Sequence, residues 1–219
     1  MTINSGFSMI RWFKPLIFLA CLGPLARLGW KAYHHALGAN PIEVITHSTG
    51  DWTLIFLLLT LAITPLRKLT GQLWLIRFRR MFGLFAFFYV VLHFLTYIWL
   101  DKFFDVHEML ADIAKRKFIT VGFTGFVLLI PLAITSTSGW IRRLGGKRWQ
   151  RLHQLIYFSA GAGVIHYLWL VKKDIHKPLE YAIVLGVLLS YRIIVWAVPR
   201  LTARQTRPVR PGGLELPQE

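Results

Sequence analysis

Six apolar runs, most of them close to the length that crosses a bilayer, decide what this 219-residue chain can fold into. They lie at about Met9–Leu28, Trp52–Leu66, Met81–Leu100, Phe118–Thr135, Leu152–Val171 and Leu179–Val198. Lipid offers a bare peptide group no hydrogen-bond partner, so a segment that faces it must satisfy its own backbone. Each run is therefore expected to be an α-helix. Together they predict an all-α, polytopic, six-helix transmembrane bundle over residues 9–198. Residues 1–8 and 199–219 flank it, and the Pro- and Gly-containing piece after Arg204 reads as disordered. A hydrophobic share of 55% is unusual for a water-soluble domain. Nine tryptophans and seven tyrosines suit interfacial belts.

The formal charge of +16 first suggests nucleic acid as a partner. The basic residues cluster beside the apolar runs, however, where topology and anionic headgroups explain them better. The N-terminal segment, the second and fourth loops and the tail carry sixteen of them against only Glu215 and Glu219. The alternate loops carry nine, with the other eight acidic residues. The positive-inside rule then places both termini in the cytoplasm, which requires an even number of spans. The lone Cys21 allows no internal disulfide and reads as a buried small residue.

The segment Lys147–Trp169 carries the chemistry. It is apolar yet holds His153 and His166, thirteen residues apart, or about 20 Å along a helix. With a hydrocarbon core about 30 Å thick, one imidazole is expected near each face. A third, His93, falls in the outer half of the third run, level with His166. Intramembrane ionisable side chains face the bundle interior and need a partner. No carboxylate is expected at that depth, so the pattern reads as haem ligation, with His93 and His166 as a bis-imidazole pair at the outer level. No CxxCH motif occurs, so such a haem is held non-covalently.

His153 lies at the inner level. Its counterpart on the third run, fourteen residues before His93, is Arg79. A guanidinium stays protonated and suits a propionate, phosphate or headgroup better than a metal. Thirteen residues do not return to the same helix face, so a kink or twist near Gly161 and Gly163 is expected. The remaining histidines read as solvated, with His47 the best placed of them for a quinone or partner. The mixed-charge loop Asp101–Lys117 is a candidate docking surface.

Several motifs carry a family resemblance: LGANPIEVITHSTG, ITPLRKLTG, LIRFRRMFGL, LHFLTY around His93, ITSTSGWIRRLGGKRWQRLHQLIY and IHYLW around His166. They run from Leu37 to Trp169 and together resemble the MsrQ (YedZ) family. These are haem-binding membrane subunits of bacterial periplasmic methionine sulfoxide reductase systems, within the ferric-reductase-like transmembrane superfamily. The resemblance implies an inner-membrane protein with two b-type haems on His93, His153 and His166, and with associated FMN. It implies electrons drawn from the quinone pool or a cytosolic flavin reductase. They would pass to a periplasmic molybdopterin-containing reductase subunit, in a heterodimer that repairs oxidised proteins. The superfamily places two histidines on each of two helices, and this chain departs from that at Arg79. It also carries no Gly-rich nucleotide fingerprint. The expected role is an electron-transfer subunit without a substrate-reducing site of its own. The rivals are a ferric-reductase-type electron carrier with another partner, a transporter with histidine proton relays, and a structural membrane anchor.

Overall fold

The computed structural model describes residues 3–171 and 174–205, with side chains placed for 13–171 and 174–197. Of the chain after Arg204, read as disordered, Gln205 closes the last helix, and 206–219 lie outside the described residues. Among the described residues there is no strand, and the elements in order are α1 (Ile3–Tyr33), α2 (Pro41–Thr70), α3 (Ile76–Leu95), α4 (Val106–Lys115), α5 (Lys117–Ile134), α6 (Ser138–Leu144), α7 (Gly146–Leu152), α8 (Leu155–Leu170) and α9 (His176–Gln205). The expected all-α membrane architecture is what the chain adopts.

Five of the described helices are long and apolar enough to cross a membrane: Phe13–Tyr33, Pro41–Thr70, Leu73–Asp101, Lys117–Ile134 and His176–Ala197. The fifth apolar run became α8, whose 16 residues span roughly 24 Å, somewhat less than a full hydrocarbon crossing. The second run is the most extended relative to expectation. The helix starts at Pro41, eleven residues before Trp52, because Asn40 caps it by accepting a hydrogen bond from the Glu43 amide and proline fits the first helical position. It ends where Gly71 takes the left-handed conformation. The third run leaves α3 through a wider π-type turn at Thr96–Asp101. Phe103 and Phe104, both with positive φ, then reverse the chain into α4.

The core lies between α2 and α3. Phe56 stacks on Phe82, Phe85 and Tyr89 with ring centres 5.4–6.2 Å apart. The second tight pair is α5 with α8, where Gly125 faces Ser159 and Ala162 and the Ser159 hydroxyl donates to the Gly125 carbonyl at 2.8 Å. Small residues allow that approach, which in lipid is driven by dispersion contacts and hydrogen bonds more than by hydrophobicity. From Phe13 to Tyr33 helix α1 is largely exposed, with Phe18 against Phe85 and a hydrogen-bonded contact at Tyr89. The buried Tyr89 hydroxyl donates to the Cys21 carbonyl (2.9 Å) and accepts from the Leu25 amide (3.3 Å). It thus enters the α1 hydrogen-bond ladder beside Pro24, a recognised cause of a helix bend.

Candidate functional site

The ends of four helices meet at one level. His93 lies in the last turn of α3 and His166 near the end of α8, while α2 and α5 arrive there by their first turns. The two imidazole ring centres are 6.1 Å apart with planes at 83°. Each ring is oriented by a backbone carbonyl. His93 Nδ1 donates to Thr46 O at 3.0 Å and His166 Nδ1 donates to Phe118 O at 2.7 Å. A carbonyl can only accept, so both rings carry the proton on Nδ1 and leave the Nε2 lone pair available. That is the form in which histidine binds a metal with its outer partner fixing the tautomer. Two neutral imidazoles side by side in this form are a donor set that would suit haem iron.

Two glycines make this approach possible. A Cβ at Gly122 would lie 2.6 Å from His166 Nδ1, and one at Gly50 would lie 3.2 Å from His93 Cε1. Around the rings is an apolar cavity of about 310 Å³, lined among others by Leu54, Leu57, Val90, Phe94, Phe126 and Gly163. Its chemistry suits a flat, mostly apolar macrocycle. Polar groups gather at its rim: His47, Asp51, Tyr97, Asp101 and Arg116.

Asp51 corrects the expectation that no carboxylate lies at this depth. Because α2 begins at Pro41, Asp51 is inside the helix, next to the glycine that touches His93. Lys177 lies 3.8 Å from one carboxylate oxygen, and Tyr167 faces the group from α8. His47, one turn earlier, is 3.8 Å from Glu43.

Over the rim sits α4, tied down by charge. Lys102, almost wholly buried, lies 2.6 Å from Glu108 and 2.7 Å from Asp112, and Arg116 lies 3.1 Å from Asp112. The hydrogen bond from Lys102, with Arg116 assisting, holds the Asp112 carboxyl below the usual range, and the bonds to Asp112 and Glu108 hold Lys102 above its own. A depressed carboxyl contributes stability above its unfolded pKa of about 3.9 and loses it as pH falls through the folded value. The raised lysine contributes below about 10.4 and loses it only as pH rises beyond that. The segment 101–117 should therefore stay protected from hydrogen exchange between about pH 5 and 9 and loosen below about pH 4. Asp112→Asn should loosen it already at pH 7 and remove most of the acid dependence. Unchanged exchange in that variant would show that the ion pairs do not hold α4.

At the opposite end, His153 is not inside a helix. It closes α7, and the chain breaks at His153–Gln154 before α8. That break, rather than a kink near Gly161 and Gly163, separates the two histidines; α8 runs unbroken through both glycines. The His153 ring stacks on Trp149 with centres 3.9 Å apart, and the Trp149 indole donates to Thr135 O at 2.8 Å. Thr135 gives its own proton to Pro131 O at 2.6 Å. The contact of 3.1 Å between His153 Nε2 and Thr135 Oγ1 therefore has the imidazole donating, with Nδ1 left open. The inner and outer histidines thus present opposite nitrogens.

Arg79, half-buried in the first turns of α3, is within electrostatic reach of His153, and Arg67 and Arg192 lie around it. Arg192 is absent from the loop-by-loop charge count because it sits within the sixth run, the one charged residue between Glu180 and Arg200. Its guanidinium donates to the Tyr157 hydroxyl and to Leu61 O (3.1 Å), and lies 5.0 Å over the Tyr157 ring. The structure thus gathers His93 with His166 at one level and His153 with Arg79 at the other. The contributions of Gly50, Gly122, Asp51 and Arg192 come from the fold. Only Arg192 had a sequence signal, a lone charge in an apolar run.

Comparison with known proteins places the chain in a family. The family described as "Ferric reductase like transmembrane component" matches residues 49–164, a range that includes His93 and His153 and ends just before His166. A protein of Herminiimonas arsenicoxydans is 55% identical over 199 residues, 90% of this chain and 91% of its own. One of Azospira oryzae is 53% identical over 195 residues (89% and 84%), and one of Rhodospirillum rubrum 54% over 178 residues (81% and 86%). All three are named protein-methionine-sulfoxide reductase heme-binding subunit MsrQ. With that identity along most of its length, and with its all-helical bundle, the chain belongs to the ferric-reductase-like transmembrane family and, within it, to the MsrQ heme-binding subunits.

Proposed function

We propose that this chain is a b-type cytochrome subunit that passes electrons across the bacterial inner membrane, with both termini cytoplasmic, to a periplasmic methionine sulfoxide reductase. The observation that carries the reading is the pair His93 and His166, 6.1 Å apart with both Nδ1 atoms committed to carbonyls. A haem held there supplies reversible one-electron chemistry, with its potential set by axial ligands and burial. The chain's own part is to hold two neutral imidazoles with their Nε2 lone pairs free, and to wrap the space between them in apolar side chains. Two histidines leave no open metal position, which suits electron transfer and not substrate reduction.

For the inner level, a second haem on His153 is supported by its stack on Trp149 and its open Nδ1. The guanidinium groups of Arg79 and Arg192 supply positive charge for a propionate or for the phosphate of FMN. The donor, quinone or flavin reductase, enters at that end in this reading. The molybdopterin-containing partner docks at the outer end over the loop 101–117, where Phe103, Phe104, Val106 and Leu110 are exposed beside the cavity mouth. Six crossings follow if α8 counts as a span despite its length.

The test is a dithionite-reduced minus oxidised spectrum of detergent-purified protein made with ample haem, together with haem-to-protein stoichiometry. The expected result is a split b-type signal with close to two haems per chain, and reoxidation on adding the oxidised-methionine-loaded reductase partner. Well-folded protein without a Soret band would end the cytochrome reading and favour a transporter, in which Asp51 and His47 would be the residues to examine.

A further inference from the structure

A second cavity, of about 320 Å³, opens between α1 and α2 and has no part in the histidine site. Its walls are two stripes one helical turn apart in step: Arg27 and Lys31 with Gly23 and Pro24 on α1, and Val44, Ser48 and Trp52 on α2. No acidic residue lines it. Among the described residues, no ion pair engages either cation: Glu43 turns to Asn40 and His47 on another face of α2, and Asp51 to Lys177. Among the described residues, two positive charges thus face a cleft in which no acidic side chain neutralises them.

The level of the cleft identifies what fills it. Ser48 adjoins Thr49, whose hydroxyl lies 3.5 Å from His93 Nδ1, so the floor is level with the outer imidazoles. On the same part of α1, Trp30 and Tyr33 are strongly exposed, as aromatic residues at headgroup height are expected to be. Arg27 and Lys31 also stand on the side of the membrane where basic residues are few. Tyr89 bonds α1 at Cys21 and Leu25, and the cleft starts within that turn and runs on to Lys31. The outer end of α1 therefore has a mostly lipid-facing surface and a charged gap where its packing against the bundle should be.

We propose that this cleft is a binding site for an anionic phospholipid, whose phosphate is held between Arg27 and Lys31 with Ser48 and Trp52 as donors, and which fastens the outer half of α1 to α2. Guanidinium and ammonium groups bind phosphate oxygens by charge-assisted hydrogen bonds. The glyceride chains lie against Leu28 and the exposed face of α1.

The test uses the full-length protein in a neutral detergent. Lipid binding is followed by native mass spectrometry and by thermal unfolding on titration with phosphatidylglycerol, phosphatidylcholine or inorganic phosphate. Arg27→Gln/Lys31→Gln is compared with wild type and with Arg142→Gln/Arg143→Gln, which removes two exposed cations from the other end. The expected result is saturable phosphatidylglycerol binding with a rise in unfolding temperature in wild type and in the Arg142/Arg143 variant. In the Arg27/Lys31 variant, affinity should fall at least about tenfold. Equal binding in all three proteins, equal binding of phosphatidylcholine, or full stabilisation by inorganic phosphate alone would each overturn the assignment.

Discussion

Replacing either His93 or His166 with alanine is expected to remove about half of the reduced-minus-oxidised haem absorbance and leave the other component in place. The reason is geometric. The two rings approach from α3 and α8, and either one alone leaves a wall of the cavity without an iron ligand. The fold should survive, because neither ring is part of the Phe56–Phe82–Phe85–Tyr89 stack that joins α2 to α3. The double variant should look like either single one, since the two act on one iron. His153→Ala should remove the complementary component, and His107→Ala should remove nothing. If His93→Ala and His166→Ala each erased a different part of the spectrum, the shared-iron arrangement would be wrong.

Gly122→Ala should be nearly as damaging as loss of the ligand, although it adds a single methyl group. That Cβ would lie 2.6 Å from Nδ1 and 2.9 Å from Cγ of His166. The ring cannot retreat freely, because its Nδ1–H is held by the Phe118 carbonyl from the same helix turn. The variant must break that bond or open the α5–α8 contact, and overpacking of this kind typically costs about 1–3 kcal/mol. Gly50→Ala meets His93 at 3.2 Å and should do the same more weakly. Gly161→Ala meets nothing within 4 Å and should be neutral. Electron paramagnetic resonance of the oxidised protein would read the series directly, since it reports the angle and strain of the axial imidazoles. A signal from Gly122→Ala indistinguishable from wild type would mean that the helices separate without cost.

The exposed loop chemistry and the site chemistry were legible to different degrees. Apolar length and the lipid requirement for self-satisfied backbone were enough to predict an all-α membrane chain. Span ends were less legible where capping, not hydrophobicity, sets them. Asn40 and Pro41 begin α2 well before its apolar run, and this moved Asp51 from an outside loop into the helix beside the His93 level. Arg192 lies within an apolar run and not in a loop, and its contacts with Tyr157 and the Leu61 carbonyl inside the bundle come from helices distant in sequence. The break at His153–Gln154 was not readable either: Lys147–Trp169 has the composition of one helix, and the turn depends on the Thr135 and Trp149 contacts across the chain.

That the chain is a helical membrane protein, toward which end each histidine lies and which family it resembles can all be read from the residues in order. These follow from hydropathy, rise per residue and local motifs, all of which are properties along one strand of chain. The fold adds that His93 and His166 lie with ring centres 6.1 Å apart, which nitrogen each presents, and that a side chain at Gly122 would collide with His166 and one at Gly50 would crowd His93. Those facts depend on the rotation of α2, α3, α5 and α8 about their own axes. That rotation is set by how small residues and rings interlock between helices, and no single segment carries it.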